Sequence, residues 1–345
     1  MVIGALPFTP PQAVRELLVS LPSKRMRQVL ERRFGLKNGR GETLEEIGKS
    51  YKITRERVRQ IEADAMRRLR TMAAGALEDF FRPVTQELQT RGGAAAQQEL
   101  FYLFAPKRWH PHLRLLLSSA PQFYFFAESD ECHPYWALDR SAAAGTQAAL
   151  KEIMGRLDER GKPVDKTALY QLMSLEQRNE SVADAYALAD SYLGISKLIA
   201  ANPYGEYGLA IWPSISPRGI KDKAYVALSK QGKPMHFRDI AIAIDQAGWG
   251  KKRAHAQTVH NELIKDSHFV LIGRGMYALD EWGYLPGTVR DVLASVLQES
   301  AAPLARDEII RLMSEKRIVK PQTILLNLQD RSRFKKLEDG RYTLA

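Results

Sequence analysis

The chain has 345 residues, of which 45% are hydrophobic, and its formal net charge at neutral pH is +11. This length predicts about two to five small domains. No apolar stretch reaches the roughly 18 residues of a membrane span, and the N-terminus lacks the basic region and cleavage site of a secretion signal. The single cysteine, Cys132, excludes an intrachain disulfide and a multi-cysteine zinc module, and we expect a cytoplasmic protein.

The positive charge is concentrated at the N-terminus. Residues 1–70 contain 16 Lys+Arg and 8 Asp+Glu, a net +8, which leaves +3 for the other 275 residues. Because a polyanion releases counterions when basic side chains neutralise its phosphates, this excess indicates a polyanionic partner for the N-terminal region.

The first strong pattern is "LPSKRMRQVLERRFGL", which begins at Leu21. Apolar residues at helical spacing predict a packing helix, and Gly35 is a suitable residue to end it. Four residues form the inward face of this helix: Met26, Val29, Leu30 and Phe34.

A second, shorter helix is predicted to begin at Thr43. Thr43 and Glu46 have the spacing of a capping box, in which each side chain bonds to the backbone of the other residue. Leu44 and Ile47 face inward, and we expect the helix to end near Gly48.

The third helix follows a tight turn, with Thr54 as its N-cap. Its inward stripe consists of Val58, Ile61, Ala65 and Leu69. The opposite face and its N-terminal end consist of Arg55, Glu56, Arg59, Gln60 and Ala63. Arg suits guanine, Gln suits adenine and Glu accepts from cytosine in the major groove, so the pattern predicts a DNA-reading helix-turn-helix.

The runs "LPSKRMRQVLERRFGL" and "ETLEEIGKSYKITRERVRQIEADAMRRLR" together resemble region 4 of housekeeping-type bacterial sigma factors, over residues 18–70. The resemblance implies a transcription factor that binds double-stranded DNA at a −35-type promoter element and docks on the β flap of RNA polymerase. It implies base reading by four residues: Arg55, Glu56, Arg59 and Gln60. It implies backbone contacts for three others: Thr43, Thr54 and Arg57. Because the family's −10-melting region is not found before residue 18, we expect that this chain cannot initiate transcription alone.

The rest of the chain contains four similar segments, whose shared pattern recurs about every 70 residues from Arg91, Arg160, Gln231 and Ser300. Each predicts helix, turn, helix, helix and a closing strand pair, and three of these pairs have a turn glycine: Gly205, Gly275 and Gly340. This order predicts a mainly α chain with a sigma region 4-like helix-turn-helix followed by about four tandem winged-helix (α+β) repeats. The predicted domains span residues 1–72, 73–140, 141–213, 214–284 and 285–345.

The third of these segments, from "KAYVALSKQGKPMHFRDIAIAID" to "VLIGRGMYALD", also resembles the HARE-HTH winged-helix family. That family occurs in the delta subunit of bacterial RNA polymerase and in fusions to chromatin proteins and restriction endonucleases. The resemblance implies a transcription or nucleic-acid setting and no enzymatic step. Its helix "RAHAQTVHNELIKD" should bury Val259 and Leu263, and a second DNA contact is possible through Lys251, Lys252, Arg253, His255 and Thr258.

In the fourth segment the corresponding helix contains Leu325 and Leu326, which we expect to be exposed. Exposed leucines and the near-neutral charge of this half favour a protein partner for the winged helices.

Candidate residues for chemistry are few. His110, His112, Cys132 and His133 could form a zinc site, but their spacing favours surface or packing roles, so no metal is predicted. No phosphate-binding loop or catalytic arrangement is evident, and we expect neither cofactor nor enzymatic activity. Two alternatives to DNA reading stay open: an adaptor that binds RNA polymerase without reading DNA, and the recognition component of a nuclease or defence system.

Overall fold

The computed structural model describes residues 6–173, 182–250, 252–300 and 302–345. The chain divides into two compact units. The first comprises Met1–Ala200 and Tyr207–Ala210, and the second comprises Ala201–Glu206 and Ile211–Ala345. Within the described residues, no helix combines the length and the apolar character that crossing a lipid bilayer requires.

The chain begins with four helices: α1 (Pro10–Val19), α2 (Lys24–Phe34), α3 (Leu44–Tyr51) and α4 (Arg55–Ala76). The Ser23 side chain accepts a hydrogen bond from the Arg25 amide at the start of α2, and Gly35 ends the helix with a φ of 68°. Only glycine adopts this left-handed conformation without steric cost, so the predicted end of α2 is confirmed.

The capping box at Thr43 and Glu46 is confirmed, because both of its reciprocal hydrogen bonds are present. The predicted end of α3 near Gly48 is wrong, since the helix continues to Tyr51. Gly48 is instead a point of close approach, where an added Cβ would lie 2.8 Å from the carbonyl oxygen of Ile53. The absent side chain therefore lets the turn after α3 fold back onto the helix.

The first unit continues with short strands between helices. Its later helices are α5 (Glu78–Thr90), α6 (Gln97–Phe104), α7 (His110–Ser119), α8 (Arg140–Arg160), α9 (Lys166–Leu172) and α10 (Val182–Ile195). The strands as far as the boundary between the units are β1 (Ala94–Ala96), β2 (Tyr124–Phe126), β3 (Tyr135–Ala137), β4 (Ile199–Ala201) and β5 (Tyr207–Leu209).

The second unit repeats the same kinds of element. Its helices are α11 (Ile220–Gln231), α12 (Phe237–Ala247), α13 (Ala256–Lys265), α14 (Val289–Glu299), α15 (Arg306–Lys316) and α16 (Pro321–Asn327). Its strands are β6 (Met235–His236), β7 (Phe269–Leu271), β8 (Met276–Leu279), β9 (Phe334–Lys336) and β10 (Tyr342–Leu344).

Four consecutive segments share one element order, namely a helix, a strand or single bridge, two helices and two strands. They begin with α5, α8, α11 and α14. The sheets have the orders β1-β3-β2, β4-β5, β6-β8-β7 and β10-β9. Where the first strand is reduced to a bridge, Val164 pairs with Tyr207 and Leu304 pairs with Tyr342. The chain is mainly helical, as expected, while the assignment of these segments to winged helices stays a prediction.

One apolar core joins the N-terminal helices to the first of these segments. Residues from α1 and the second half of α4, including Leu17 and Leu69, are buried in the same cluster as Phe80, Leu116 and Trp136. Helix α7 packs directly against α1 and α4. Helix α4 also runs through residues 72 and 73, where the sequence places a domain boundary. The N-terminal helices and the segment from α5 to β3 therefore form one packed body.

Candidate nucleic-acid interface

The first two turns of α4 carry a polar, exposed face. The Thr54 side chain accepts a hydrogen bond from the Arg57 amide, so the predicted N-cap is confirmed. Val58, Ala65 and Leu69 are fully buried and Ile61 is half-buried, which confirms the inward stripe. The four residues predicted to read bases are all exposed: Arg55, Glu56, Arg59 and Gln60.

Two of these side chains hold each other in place. Arg59 donates to both carboxylate oxygens of Glu56, at 2.8 and 2.7 Å, and the bond from Arg59 lowers the pKa of Glu56. An exposed pair of this kind contributes little to stability, but its two parallel bonds restrict the orientation of the guanidinium fork. The pair therefore presents Arg59 in a limited range of conformations.

The other predicted contacts lie around this face. Arg57 donates to the side-chain oxygen of Gln60 at 3.1 Å, and Arg57, Arg59 and Gln60 line a common groove beside α2. Thr43 and Thr54 are the N-caps of α3 and α4, and both are exposed. A helix N-terminus presents unpaired backbone N–H groups, which favour an anion such as phosphate.

A small core fixes α4 relative to α2 and α3. Val29, Ile47 and Val58, one from each helix, are completely buried against one another. The core between three such short helices is small, so their relative arrangement depends on a few apolar contacts.

Polar contacts of Tyr51 support the same arrangement, and the sequence analysis did not predict them. Its hydroxyl donates to the Gln28 side chain at 3.0 Å, and the guanidinium groups of Arg25 and Arg32 lie 5.2 and 5.3 Å from its ring centroid. Arg32 also pairs with Glu42, which lowers the pKa of that carboxyl. The only signal in the sequence is the excess of arginine on α2, which does not identify Tyr51 as the partner.

The turn before α4 has a second feature that was not predicted. Lys52 has a φ of 55°, and among the described residues it is the only non-glycine residue with a positive φ. Its amide bonds to the carbonyl oxygens of Gly48 and Lys49 and so closes α3. A side chain in this conformation costs about 1 to 2 kcal/mol, which the packing of the turn must offset.

In the third segment, α13 has the predicted burial. Val259 and Leu263 are buried, while Lys252, Arg253, His255 and Thr258 are exposed. Lys251, the fifth residue of the predicted second contact, lies outside the described residues. His255 occupies the N-cap position of α13 but makes no side-chain capping bond. Lys252 and Arg253 thus precede the helix, and its exposed surface also carries an apolar residue, Ile264.

The prediction that both leucines of α16 are exposed is half wrong. Leu326 is 67% exposed, whereas Leu325 is half-buried and packs against the core of the fourth segment. The reason is geometric, because Leu325 follows the buried Ile324 by one helical step of about 100° and stays at the edge of the inward face. One exposed leucine is ordinary for a protein surface and does not by itself identify a partner site.

Local contacts and burial describe three of the four residues considered for zinc. His110 bonds to the carbonyl oxygen of Ala105 at 3.1 Å, and burial lowers the pKa of His112. Burial raises the pKa of the Cys132 thiol. Within the described part of the chain, no group of three His, Cys, Asp or Glu side chains could hold a metal ion.

Comparison with known proteins identifies the N-terminal region. Residues 17–71 match the family described as Sigma-70, region 4, which confirms the resemblance predicted for residues 18–70. An RNA polymerase sigma factor SigA from Clostridium acetobutylicum is 61% identical over 46 residues, which cover 13% of this chain and 12% of that protein. SigA1 from Synechococcus elongatus is 56% identical over 55 residues, covering 16% of this chain and 14% of that protein.

A SigA from a Bacillus species is 58% identical over 59 residues, which cover 17% of this chain and 16% of that protein. The chain thus spans less than a fifth of the length of these relatives. The likeness identifies the N-terminal domain, while the HARE-HTH resemblance of the third segment stays a prediction.

Proposed function

We propose that this chain is a sigma-like transcription factor that reads a −35-type promoter element through the first turns of α4. The observation that carries the proposal is the exposed face of Arg55, Glu56, Arg59 and Gln60, opposite a fully buried Val58, in a domain that matches Sigma-70 region 4.

The chemistry of this face suits the major groove. Arg55 and Arg59 can each donate two bonds to a guanine, Gln60 can bond to adenine, and Glu56 can accept from cytosine. In the free chain the Glu56 carboxylate already accepts a hydrogen bond from Arg59. DNA binding either keeps this pair or replaces it with bonds to bases, and in both cases neither side chain is left charged without a partner. Thr43, Thr54 and Arg57 contact the phosphate backbone and set the register of the helix.

The proposed partner besides DNA is bacterial RNA polymerase. The relatives that match residues 17–71 are named RNA polymerase sigma factors, and we extend this association to the present chain, with the β flap as the docking site. The role consists of binding and orientation and includes no enzymatic step.

The proposal for the four following segments is that they are winged helices. Their common element order and the order of the two three-stranded sheets support this assignment. In the third segment, the exposed Lys252, Arg253, His255 and Thr258 form a second, weaker DNA contact next to α13.

A selection experiment tests the central proposal. The purified chain, with and without core RNA polymerase, is used to select duplexes from a random library, and the selected duplex is then titrated with variants. We expect Arg59→Ala to weaken binding to the selected duplex by about 1 to 3 kcal/mol and to relax the preference at one base pair.

The matched control is Arg82→Ala on α5. Arg82 pairs with Asp79 three residues earlier, as Arg59 pairs with Glu56, and both arginine side chains are about equally exposed, at 62% and 60%. The control should bind the selected duplex like the unmodified chain. Capture of polymerase without enrichment of any DNA sequence would contradict the proposal and would favour the adaptor function.

A further inference from the structure

The fourth segment carries two exposed lysines on one of its strands. In this segment β10 pairs with β9 and also bridges to Leu304, so β9 lies at the edge of the sheet. The first residue of β9, Phe334, is buried, and the next two, Lys335 and Lys336, are exposed. The edge of the sheet thus combines an apolar anchor with two cations.

A groove beside this edge has an apolar floor and a basic rim, and we name it the β9 groove. Leu328 and Phe334 are buried in its floor, next to the half-buried Tyr342. Arg331, Lys335 and Lys336 form the rim and are exposed. The described lining contains no Asp or Glu side chain; it consists of Leu328, Gln329, Arg331, Phe334, Lys335, Lys336, Tyr342 and Ala345.

The three rim cations lack carboxylate partners, in contrast to several arginines of the same segment. Arg333 pairs with Asp291 at 3.0 Å, Arg341 pairs with Asp339 at 2.8 Å, and Arg290 pairs with Asp330 at 3.1 Å. Within the described part of the chain, Arg331, Lys335 and Lys336 make no such pair. Three cations of the segment without a carboxylate partner therefore lie together along the β9 groove.

One contact orients the rim. The ammonium group of Lys336 lies 5.9 Å from the centroid of the Tyr342 ring, at the outer limit of a cation–π interaction. Long basic side chains commonly cover apolar surface with their stems while the charge stays in water.

The corresponding strands of the other segments show that the fold does not require these cations. They are β2 with the sequence YFF, β4 with IAA and β7 with FVL, and none contains Lys or Arg. The cations of β9 are thus a local property of the fourth segment, independent of the shared element order.

We propose that the β9 groove binds the phosphate backbone of duplex DNA without reading its sequence. Lysine ammonium groups act as point charges for phosphate, and three cations without internal partners can each neutralise one phosphate. The inference rests on the proposed function only in that the chain encounters DNA, because its residues are separate from those of α4.

The salt dependence of binding gives a quantitative test. Each neutralised phosphate contributes about −0.9 to the slope of log K against log salt concentration. In the full-length chain, R331Q, K335Q and K336Q are combined, and binding to a fluorescent duplex of mixed sequence is measured by anisotropy over a range of salt. We expect the slope to become less steep by about 2.7.

The control combines K151Q, K162Q and K233Q, which remove three exposed lysines elsewhere and lower the net charge equally. Its slope should change far less. All measurements are repeated in chains that also carry Arg59→Ala. The reduction of the salt slope caused by the three β9-groove substitutions should persist in these chains. If α4 does not read DNA, the unmodified chain shows no sequence preference, while the β9-groove substitutions still reduce the salt slope. The two proposals can therefore fail independently of each other.

Two results would overturn the inference. Equal slopes for the two triple variants would mean that only net charge matters. Loss of binding to a polyglutamate peptide, with unchanged binding to the duplex, would assign the groove to an acidic protein. Since all six substitutions are at exposed positions, thermal unfolding by circular dichroism should be unchanged, and this confirms that folded chains are compared.

Discussion

The helices α4 and α13 each follow a packing helix, but they present different chemistry. On α4 the first two turns carry four side chains suited to base edges, and Thr54 caps the helix with a hydrogen bond. Near α13, Lys252 and Arg253 precede the helix, and His255 makes no capping bond. Shared element order therefore does not determine function, which depends on the few side chains at the helix start.

The two helices also differ in what supports them. The second half of α4 is buried in a core shared with the segment from α5 to β3, whereas the buried residues of α13 belong to the core of its own segment. We therefore expect α4 to be the more firmly fixed of the two helices, and the following substitutions test this difference.

The largest effect is expected from Leu69→Ala. Leu69 is fully buried in the shared core, so its truncation should lower the free energy of unfolding by about 2 to 5 kcal/mol. Hydrogen exchange measured by mass spectrometry should show lost protection in both α4 and α7, with α13 unaffected. Lost protection in α4 alone would contradict the shared core.

The turn before α4 should tolerate less change than the turn before α13. Gly48→Ala would place a Cβ 2.8 Å from the Ile53 carbonyl oxygen, whereas at Gly250 nothing lies within 4 Å of an added Cβ. Denaturant unfolding should show a loss of about 1 to 3 kcal/mol for Gly48→Ala and little change for Gly250→Ala. Equal effects would mean that the two turns are packed alike.

The N-cap residues of α4 and α13 should differ in their contribution to stability, but by a smaller amount. Thr54→Ala removes a hydrogen bond to the Arg57 amide and should cost about 0.5 to 2 kcal/mol of stability, while His255→Ala removes no capping bond. The second substitution should stay within about 0.5 kcal/mol of the unmodified chain. A loss at His255 as large as that at Thr54 would contradict the difference between the two helix starts.

The smallest effect concerns the proposed DNA contact of the third segment. Replacing Lys252 and Arg253 together by Gln should make the slope of log K against log salt less steep by about 1.8 and leave sequence preference unchanged. Replacing Lys162 and Lys233, which are also exposed, is the matched control. Equal slopes for the two pairs would remove the third segment from the DNA interface.

The N-terminal domain could be predicted in detail because its signals are local. The capping box at Thr43, the N-cap at Thr54 and the left-handed glycine at Gly35 each depend on residues only a few positions apart. The exposed face of α4 follows from the same helical period that places Val58 and Leu69 inside.

The errors concern packing contacts, which helical periodicity alone does not specify. The apolar residues of α1 and of the end of α4 have the same pattern whether they face solvent, a partner or α7, so the shared core could not be predicted from periodicity. Gly48 has a sequence signal for a helix end, but close backbone approach within the turn accounts for it. The Leu325 side chain is half-buried because it lies one helical step from the buried Ile324.

The most direct test of the central claim is protection of guanine N7 from dimethyl sulfate on the selected duplex, because N7 lies in the major groove where arginine binds. If α4 reads bases, the full-length chain protects specific guanines. The Arg59→Ala variant should lose protection at one of these guanines and keep it at the neighbouring ones. The Arg82→Ala variant should show the same protection pattern as the unmodified chain. The same protection pattern for Arg59→Ala and the unmodified chain, or no major-groove protection at all, would contradict the claim.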